Sequence, residues 1–311
     1  MLDFLYIVIG LVLLVFGGDF LLKSAVDFSY RLKIPKIVIG MTVVSFATSA
    51  PELIVSIKSA LEGHADLALG NVIGSNIANL ALVLGVTVLL TKITVAKDFY
   101  KTDWLFMMVA SLLLFGFIKF DGQLLRWEGI LFVVLLIAFL LYLLKYQKKA
   151  VEDDLSDDDE ILSLPKSLMF LVVGGVGLWG GSELLINGAT GLATDLGVTE
   201  RVIGVTVVSI GTSIPELAAS VIAALKKEKS ISLGNLIGSN IFNILAVLGI
   251  TSIVQPVVAQ DQRLLSSDIY WMLGVAAVLI PLIFIPKKME LGKKEGIILL
   301  LIYGTFVYMT L

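Results

Sequence analysis

Two glutamates stand in the middle of long apolar stretches of the sequence. Glu52 ends residues 48–52, which read Thr-Ser-Ala-Pro-Glu, and Glu216 ends residues 212–216, which read Thr-Ser-Ile-Pro-Glu. Placing a charge in the hydrocarbon core of a bilayer costs from roughly 3 to more than 10 kcal/mol. A carboxylate at such a position therefore usually has a functional role. Two matching copies therefore predict a functional site that uses both carboxylates.

The polar residues around each glutamate follow helical spacing. Ser45, Thr48, Ser49, Glu52 and Ser56 fall at i, i+3, i+4, i+7 and i+11. In a helix this spacing puts all five on one face, so a polar stripe is predicted to cross the membrane on one side of a span. The second half repeats the spacing with Ser209, Thr212, Ser213, Glu216 and Ser220.

A proline precedes each glutamate. Proline inside a helix has no N–H for the carbonyl four residues before it, and the helix bends there. Pro51 and Pro215 should therefore free the main-chain oxygens of Ala47 and Gly211. Each bend would offer carboxylate, hydroxyl and main-chain oxygens within about one helical turn.

A second repeated segment supplies a partner surface. Residues 70–79 read Gly-Asn-Val-Ile-Gly-Ser-Asn-Ile-Ala-Asn, and residues 234–243 repeat eight of these ten positions. Gly70 with Gly74, and Gly234 with Gly238, form small-xxx-small faces that permit close helix approach. Asn71, Ser75 and Asn79 lie at i, i+4 and i+8, as do Asn235, Ser239 and Asn243. Their side-chain oxygens are predicted to meet those of the glutamate-bearing helices.

The predicted site offers oxygen ligands only. Two carboxylates, several hydroxyls, amide oxygens and main-chain carbonyls suit Ca²⁺ and Na⁺ better than Zn²⁺ or copper. The chain has no cysteine, which excludes thiolate sites and thiol nucleophiles. Two glutamates would neutralise one Ca²⁺ or two Na⁺, and no organic cofactor is expected. Competition for these carboxylates gives a physical basis for obligatory exchange, because an empty, doubly charged site should be too costly to carry across.

Composition indicates an all-α integral membrane protein. Hydrophobic residues make up 58% of the 311 residues, charged residues 16%, and mean hydropathy is +0.98. The apolar runs have the length of membrane helices, whereas barrel strands are about ten residues long. Ten spans are predicted, at about 4–22, 36–60, 67–90, 103–120, 126–146, 167–188, 201–225, 231–253, 268–286 and 295–311.

An internal repeat organises the chain. Residues 38–85 align with 202–249 without a gap, with identity at 27 of 48 positions. We therefore divide the chain into a five-helix unit, 1–146, an acidic linker, 147–166, and a second five-helix unit, 167–311. An odd number of spans per unit forces the second unit to be inverted. Inverted repeats are typical of secondary transporters, with the substrate site near the midplane.

Orientation follows from the positive-inside rule. Of the 23 Lys and Arg residues, 18 fall in loops after odd-numbered spans. The other side holds only Lys58, Lys119, Arg126, Arg201 and Arg263. This asymmetry predicts that both termini lie outside and that the linker is cytoplasmic. The linker's acidic run at 152–160 lacks the spacing of a calcium loop and is interpreted as solvated.

The residues 211–216 and 234–241, with their first-half copies, resemble the paired alpha repeats of the sodium/calcium exchanger family, within the cation/calcium exchanger superfamily. The resemblance spans the whole chain and implies a prokaryotic plasma-membrane antiporter that extrudes Ca²⁺ against inward Na⁺ by alternating access. It implies ion ligation by Glu52, Thr48, Ser49, Ser75, Asn79, Glu216, Thr212, Ser213, Ser239 and Asn243. Main-chain oxygens of Ser45 and Ser209 would join outer sodium sites. Position 243 is Asn, where some members carry Asp, so this site holds two carboxylates.

Other functions stay open on sequence grounds. The same fold could couple Ca²⁺ to H⁺ or require K⁺, because glutamates can carry protons. A calcium-selective channel is a less favoured alternative, since channel filters are usually rings from identical subunits. The expected partners are inorganic cations and the lipid bilayer, and no basic, aromatic-rich cluster suggests nucleic acid. Transport would involve the glycine-rich first and sixth spans, at residues 17–18 and 174–181, sliding across the other helices.

Overall fold

The computed structural model describes residues 2–146, 162–197, 211–285 and 289–310. Helices α1 to α5 are Leu2–Leu32, Lys36–Leu61, Ala65–Leu90, Asp103–Asp121 and Arg126–Tyr146. Helices α6 to α10 are Leu164–Asp195, Ile214–Leu225, Lys229–Val254, Leu264–Phe284 and Lys293–Thr310. The acidic run at 152–160 and Ser209 lie outside the described residues.

Eight of these helices are long and apolar enough to cross a membrane: α1 to α6, α8 and α9. The described part of α7 has 12 residues. Helix α10 has 18 residues but begins with three charged ones, Lys293, Lys294 and Glu295. The predicted all-helical membrane fold is confirmed for these eight spans.

Helices α1 and α6 are longer than predicted. The first span was expected to end near residue 22, but α1 continues to Leu32. The prediction failed because Asp27 and Arg31 count against a membrane span, whereas here they pair at 2.5 Å, one helical turn apart. At 1.5 Å per residue, 31 residues extend about 46 Å, which exceeds the roughly 30 Å hydrocarbon core. Helix α1 therefore reaches beyond the bilayer interior or tilts within it.

Glycines let α1 and α6 pack as a close antiparallel pair. Gly10 faces Gly181, and Gly17 faces Gly174. A Cβ atom at Gly10 would lie only 2.8 Å from the Gly181 oxygen, and one at Gly174 only 2.6 Å from the Leu21 nitrogen. Only glycine permits backbones to approach this closely.

Helices α3 and α8 form the centre of the molecule. In their most apolar windows 78% and 83% of residues are buried, against 33% in α1 and 22% in α6. Helix α2 packs on α8 through glycine: a Cβ atom at Gly234 would lie 2.3 Å from the Ile37 oxygen, and one at Gly238 2.5 Å from Met41 Cα. The segment that the repeat would place against Gly70 and Gly74 lies at 201–205, outside the described residues.

Two short antiparallel strand pairs tie loops together at the helix ends. Strand β1, Ile93–Thr94, pairs with β4, Glu290–Leu291, while β2, Gln123–Leu124, pairs with β3, Val257–Val258. Strand β1 follows α3 and β3 follows α8, whereas β2 and β4 directly precede α5 and α10. The two pairs thus join corresponding parts of the two sequence halves.

Candidate cation site

The two glutamate-bearing segments fold differently. Helix α2 continues through Pro51, so Ser45, Thr48, Ser49 and Glu52 share one helix face, as predicted. In the second half Thr212 and Ser213 form a turn, and α7 begins only at Ile214.

The predicted continuous helix through residues 209–216 is therefore wrong at this turn. Pro215 lies in the first helical turn, where its missing N–H costs nothing. The Gly211 carbonyl accepts a hydrogen bond from Ser182 Oγ of α6 at 2.8 Å instead. Glu216 consequently lies in the first turn of α7, where the helix dipole favours negative charge.

The predicted side-chain ligands lie in the interior. All but one are buried; Thr212 is half-buried. Both glutamates are completely buried. The buried group comprises Ser45, Thr48, Ser49, Glu52, Ser75, Asn79, Ser213, Glu216, Ser239 and Asn243.

Hydrogen bonds join the two halves across this site. Ser49 Oγ donates to Glu216 Oε1 at 3.3 Å. Thr48 Oγ1 lies 3.4 Å from Ser239 Oγ. In the mirrored arrangement, Ser75 Oγ lies 3.2 Å from Thr212 Oγ1. The structure thus brings α2 against α8, and α3 against the turn before α7.

Six buried oxygens of the site have no hydrogen-bond donor among the described residues. They are both carboxylate oxygens of Glu52, Glu216 Oε2, the amide oxygens of Asn79 and Asn243, and Ser213 Oγ. Leaving buried polar atoms unpaired is costly, and native proteins seldom do so without a reason. All six can donate electron pairs to a hard cation, and Ca²⁺ takes six to eight such ligands.

The main-chain oxygens in the predicted ligand set are less available to a cation. Ser45 Oγ lies 2.8 Å from the Gly40 carbonyl oxygen and 3.0 Å from the Asn235 carbonyl oxygen, so two acceptors share its single hydrogen. The Ser45 carbonyl accepts a hydrogen bond from Thr48 Oγ1 at 3.3 Å. Ala47 is half-buried, and the Gly211 carbonyl already has Ser182 as a donor. Sequence reasoning missed Ser182, because the repeat places Gly18 at the corresponding position and so gives no signal.

A cavity of about 760 Å³ lies beside the site, between α2, α5, α6 and α8. Ser49, Ala47 and Pro51 reach its wall, but neither glutamate does. The rest of the wall is almost entirely apolar, with Trp179 and Phe242 among its larger side chains. An apolar wall does not replace the hydration of a cation.

A buried, carboxylate-containing oxygen site at the centre of an all-helical membrane protein is typical of cation transporters. The family model described as "Sodium/calcium exchanger protein" matches residues 2–145 and 166–311. The chain therefore belongs to the sodium/calcium exchanger family. The family predicted from the repeated motifs is confirmed.

Individual relatives match over nearly their whole length. The sodium/calcium exchanger MaX1 of Methanosarcina acetivorans is 32% identical, covering 98% of this chain and 97% of the relative. The inner membrane protein YrbG of Escherichia coli is 32% identical, with coverage of 94% and 92%. A solved structure of the sodium-calcium exchanger NCX_Mj superposes with a TM-score of 0.82 at 28% identity, covering 99% of this chain and 98% of the other.

Proposed function

We propose that this protein is a secondary antiporter that exchanges Na⁺ for Ca²⁺ and normally extrudes Ca²⁺. One observation carries the proposal: six buried oxygens, three of them from two carboxylates, have no donor among the described residues. Hard cations bind oxygens of all these kinds and are therefore the partners that this set favours. Family membership and the relatives named as sodium/calcium exchangers support the same ion pair.

The proposed ligand set combines both halves. It consists of the side chains of Glu52, Glu216, Thr48, Ser49, Thr212, Ser213, Ser75, Ser239, Asn79 and Asn243, with main-chain oxygens of Ser45, Ser209, Ala47 and Gly211. The two carboxylates neutralise one Ca²⁺ or two Na⁺. Without cations the site would hold two adjacent buried charges, which is costly. The protein should therefore change access only when loaded, and this couples the two ions.

We propose ten spans arranged as two inverted five-helix repeats. Contacts related by the 164-residue offset support this arrangement. Gly10 with Gly181 corresponds to Gly174 with Gly17, and both contacts are close. The pairing of β1 with β4 likewise corresponds to that of β3 with β2, although three inserted residues make the offset between β2 and β4 167 residues. A two-fold axis in the membrane plane would relate each contact to its copy.

Alternating access is proposed to involve α1 and α6 moving together across the other helices. A disulfide between cysteines replacing Gly18 and Ile222 would tie α1 to α7, because a Cβ atom at Gly18 would lie 2.4 Å from Ile222 Cδ1. Cross-linking should abolish exchange and preserve Ca²⁺ binding, and reduction should restore exchange. Undiminished exchange in the cross-linked protein would contradict the motion.

For orientation, we propose that both termini lie outside and that the loop between α5 and α6 is cytoplasmic. The absence of native cysteine makes single-cysteine labelling straightforward. A cysteine at Ser163 should react with an impermeant reagent only from the cytoplasmic side. A cysteine at His64, which is exposed, should react only from the opposite side. The reverse pattern would invert the assignment.

The deciding experiment uses purified protein in sealed vesicles. Radioactive Ca²⁺ uptake should require Na⁺ inside the vesicle and should saturate with external Ca²⁺. Vesicles with a pH gradient and no Na⁺ test H⁺ coupling, and matched vesicles with and without K⁺ test K⁺ dependence. Uptake driven by the pH gradient alone would replace Na⁺ with H⁺ as the coupling ion. Ca²⁺ flux that does not depend on any ion on the opposite side of the membrane would favour the channel alternative.

A further inference from the structure

Two asparagines outside the proposed ligand set, Asn76 and Asn240, tie α3 to α8. Asn76 Nδ2 donates to the Asn240 main-chain oxygen at 3.3 Å, and Asn240 Nδ2 donates to the Asn76 main-chain oxygen at 3.2 Å. Both side chains are buried, with 1% and 2% exposure. The reciprocal bonds form at the centre of the molecule, next to the proposed ligands in sequence.

The main-chain carbonyls determine how both side-chain amides are turned. A carbonyl oxygen only accepts hydrogen bonds, so the group that faces it must be the NH₂ of the amide. The NH₂ of Asn76 therefore faces the Asn240 carbonyl, and its Oδ1 atom points to the other side. The same reasoning turns Oδ1 of Asn240 away from the Asn76 carbonyl.

Each of these outward-turned oxygens accepts a hydrogen bond from one proposed ligand. Asn243 Nδ2 donates to Asn76 Oδ1 at 3.1 Å, and Asn79 Nδ2 donates to Asn240 Oδ1 at 3.2 Å. Because the NH₂ group of each ligand is engaged, its oxygen must point the opposite way. These are the Asn79 and Asn243 amide oxygens that lack a donor among the described residues.

Sulfur atoms complete the hydrogen bonding of the two central amides. The Met272 sulfur lies 3.8 Å from Asn76 Nδ2, and the Met107 sulfur lies 3.8 Å from Asn240 Nδ2. Thioether sulfur is a weak acceptor, sufficient for the second N–H of each amide. Flipping either amide would place its oxygen against a carbonyl and a sulfur, neither of which can donate. The observed orientation is therefore strongly preferred.

We propose that Asn76 and Asn240 are positioning residues that turn the amide oxygens of Asn243 and Asn79 towards the transported cation. This inference rests on the proposed function. Without the acceptor, either ligand amide could rotate and present its NH₂ group, whose hydrogens carry positive charge and repel a cation. The pairing is specific: Asn76 acts through Asn243, and Asn240 acts through Asn79.

Alanine substitutions test the positioning role. Asn76→Ala and Asn240→Ala should each raise the KM for Ca²⁺ on the order of 10- to 100-fold, the usual cost of removing a residue that orients a metal ligand. Maximal uptake per folded protein should change much less. Thr87→Val is the matched control, because Thr87 is a buried polar residue of α3 whose hydroxyl bonds to Val83 of its own helix at 2.7 Å. The control should keep the wild-type KM.

Double variants separate positioning from simple helix cross-linking. In Asn243→Ser an oxygen remains but no amide needs orienting, so adding Asn76→Ala should change the KM less than two-fold. In the Asn79→Ser background, adding Asn76→Ala should raise the KM as much as it does in the wild-type protein. Asn240→Ala should behave the opposite way: it should raise the KM in the Asn243→Ser background and change it less than two-fold in the Asn79→Ser background. The Ca²⁺-dependent rise in melting temperature measures the same effects without turnover.

The outcomes distinguish this inference from the proposed function. A KM unchanged in Asn76→Ala, or raised equally in both serine backgrounds, would overturn the positioning role while leaving the antiporter intact. A wild-type protein without Na⁺-dependent Ca²⁺ uptake would instead refute the proposed function. An unchanged KM in both Asn243→Ala and Asn79→Ala, which remove the amide oxygens, would take these residues out of the ligand set.

Discussion

The two halves of the site share the sequence Thr-Ser-x-Pro-Glu but differ in structure. In the first half α2 runs unbroken through Pro51, and neither oxygen of Glu52 has a donor among the described residues. In the second half the chain turns before Ile214, and Ser49 donates to one oxygen of Glu216. The prolines and glutamates match, but Gly211 stands where the first half has Ala47, and glycine favours the helix less than alanine does. The two segments also pack against different neighbours.

The neighbouring helices α1 and α6 contact the two halves unequally. Gly18 of α1 packs directly against Ile222 of α7, and Asp19 forms an ion pair with Lys226 at the end of that helix. Between α6 and α2 lies the apolar cavity of about 760 Å³. The two repeated segments thus have different neighbours, as the proposed alternating access of an inverted pair requires.

The largest effect should come from removing either carboxylate charge. Glu52→Gln and Glu216→Gln each leave a buried cation with one compensating charge instead of two. Losing one member of a buried charge pair costs about 3–5 kcal/mol, which is about two to three and a half orders of magnitude in affinity. Ca²⁺ uptake into vesicles should fall accordingly in both variants. Glu62→Gln, at an exposed glutamate just after α2, is the control and should transport normally. Near-normal uptake in either test variant would mean that the site is misplaced.

The next largest effect should be a difference in stability between variants of Ser49 and Ser213, the serines two residues before the prolines. Ser49→Ala removes a hydrogen bond to a buried carboxylate, which contributes about 1.5–3 kcal/mol. It should lower the melting temperature of the cation-free protein. Ser213→Ala removes a hydroxyl with no partner among the described residues and should leave that temperature unchanged or raise it.

Both serine variants should shrink the stabilisation that added Ca²⁺ produces, since both hydroxyls belong to the proposed ligand set. Thermal unfolding with and without Ca²⁺ measures both quantities in one experiment. Equal destabilisation of the two cation-free variants would mean that the halves do not differ in this respect.

The third effect concerns the break before α7. Ser182→Ala leaves the buried Gly211 carbonyl without its donor, at a cost of about 1–3 kcal/mol in unfolding free energy. Ser111→Ala is a suitable control, because Ser111 is also buried but bonds within its own helix, to the Met107 carbonyl at 2.9 Å. A denaturant titration should show the larger loss in Ser182→Ala. Equal losses would indicate that the hydrogen bond does not stabilise the break.

These contrasts show how far sequence reasoning extends. Glu52, Glu216 and their polar neighbours were identifiable because residue type, helical spacing and repetition all carry chemical information. The break at Thr212 was not, because the repeat matches it to a continuous helix, and the Gly211 carbonyl finds its donor in Ser182, a residue of another helix with glycine at the repeated position. The long α1 was missed for a similar reason: Asp27 has partners in Arg31 and Ser167 that a hydropathy count does not register.

The smallest effect should come from the ion pair that joins α1 to the end of α7. The repeat offers no counterpart, since Glu183 and Glu62 occupy the positions equivalent to Asp19 and Lys226. The Asp19 and Lys226 side chains are 18% and 51% exposed, so salt should screen their attraction. Asp19→Asn should therefore cost no more than about 1 kcal/mol of unfolding free energy, and only at low ionic strength. Glu183→Gln, at an exposed glutamate, should leave stability unchanged. Stability measured in dilute and concentrated salt tests both variants; a loss in Asp19→Asn that persists in concentrated salt would show that Asp19 acts through packing instead of charge.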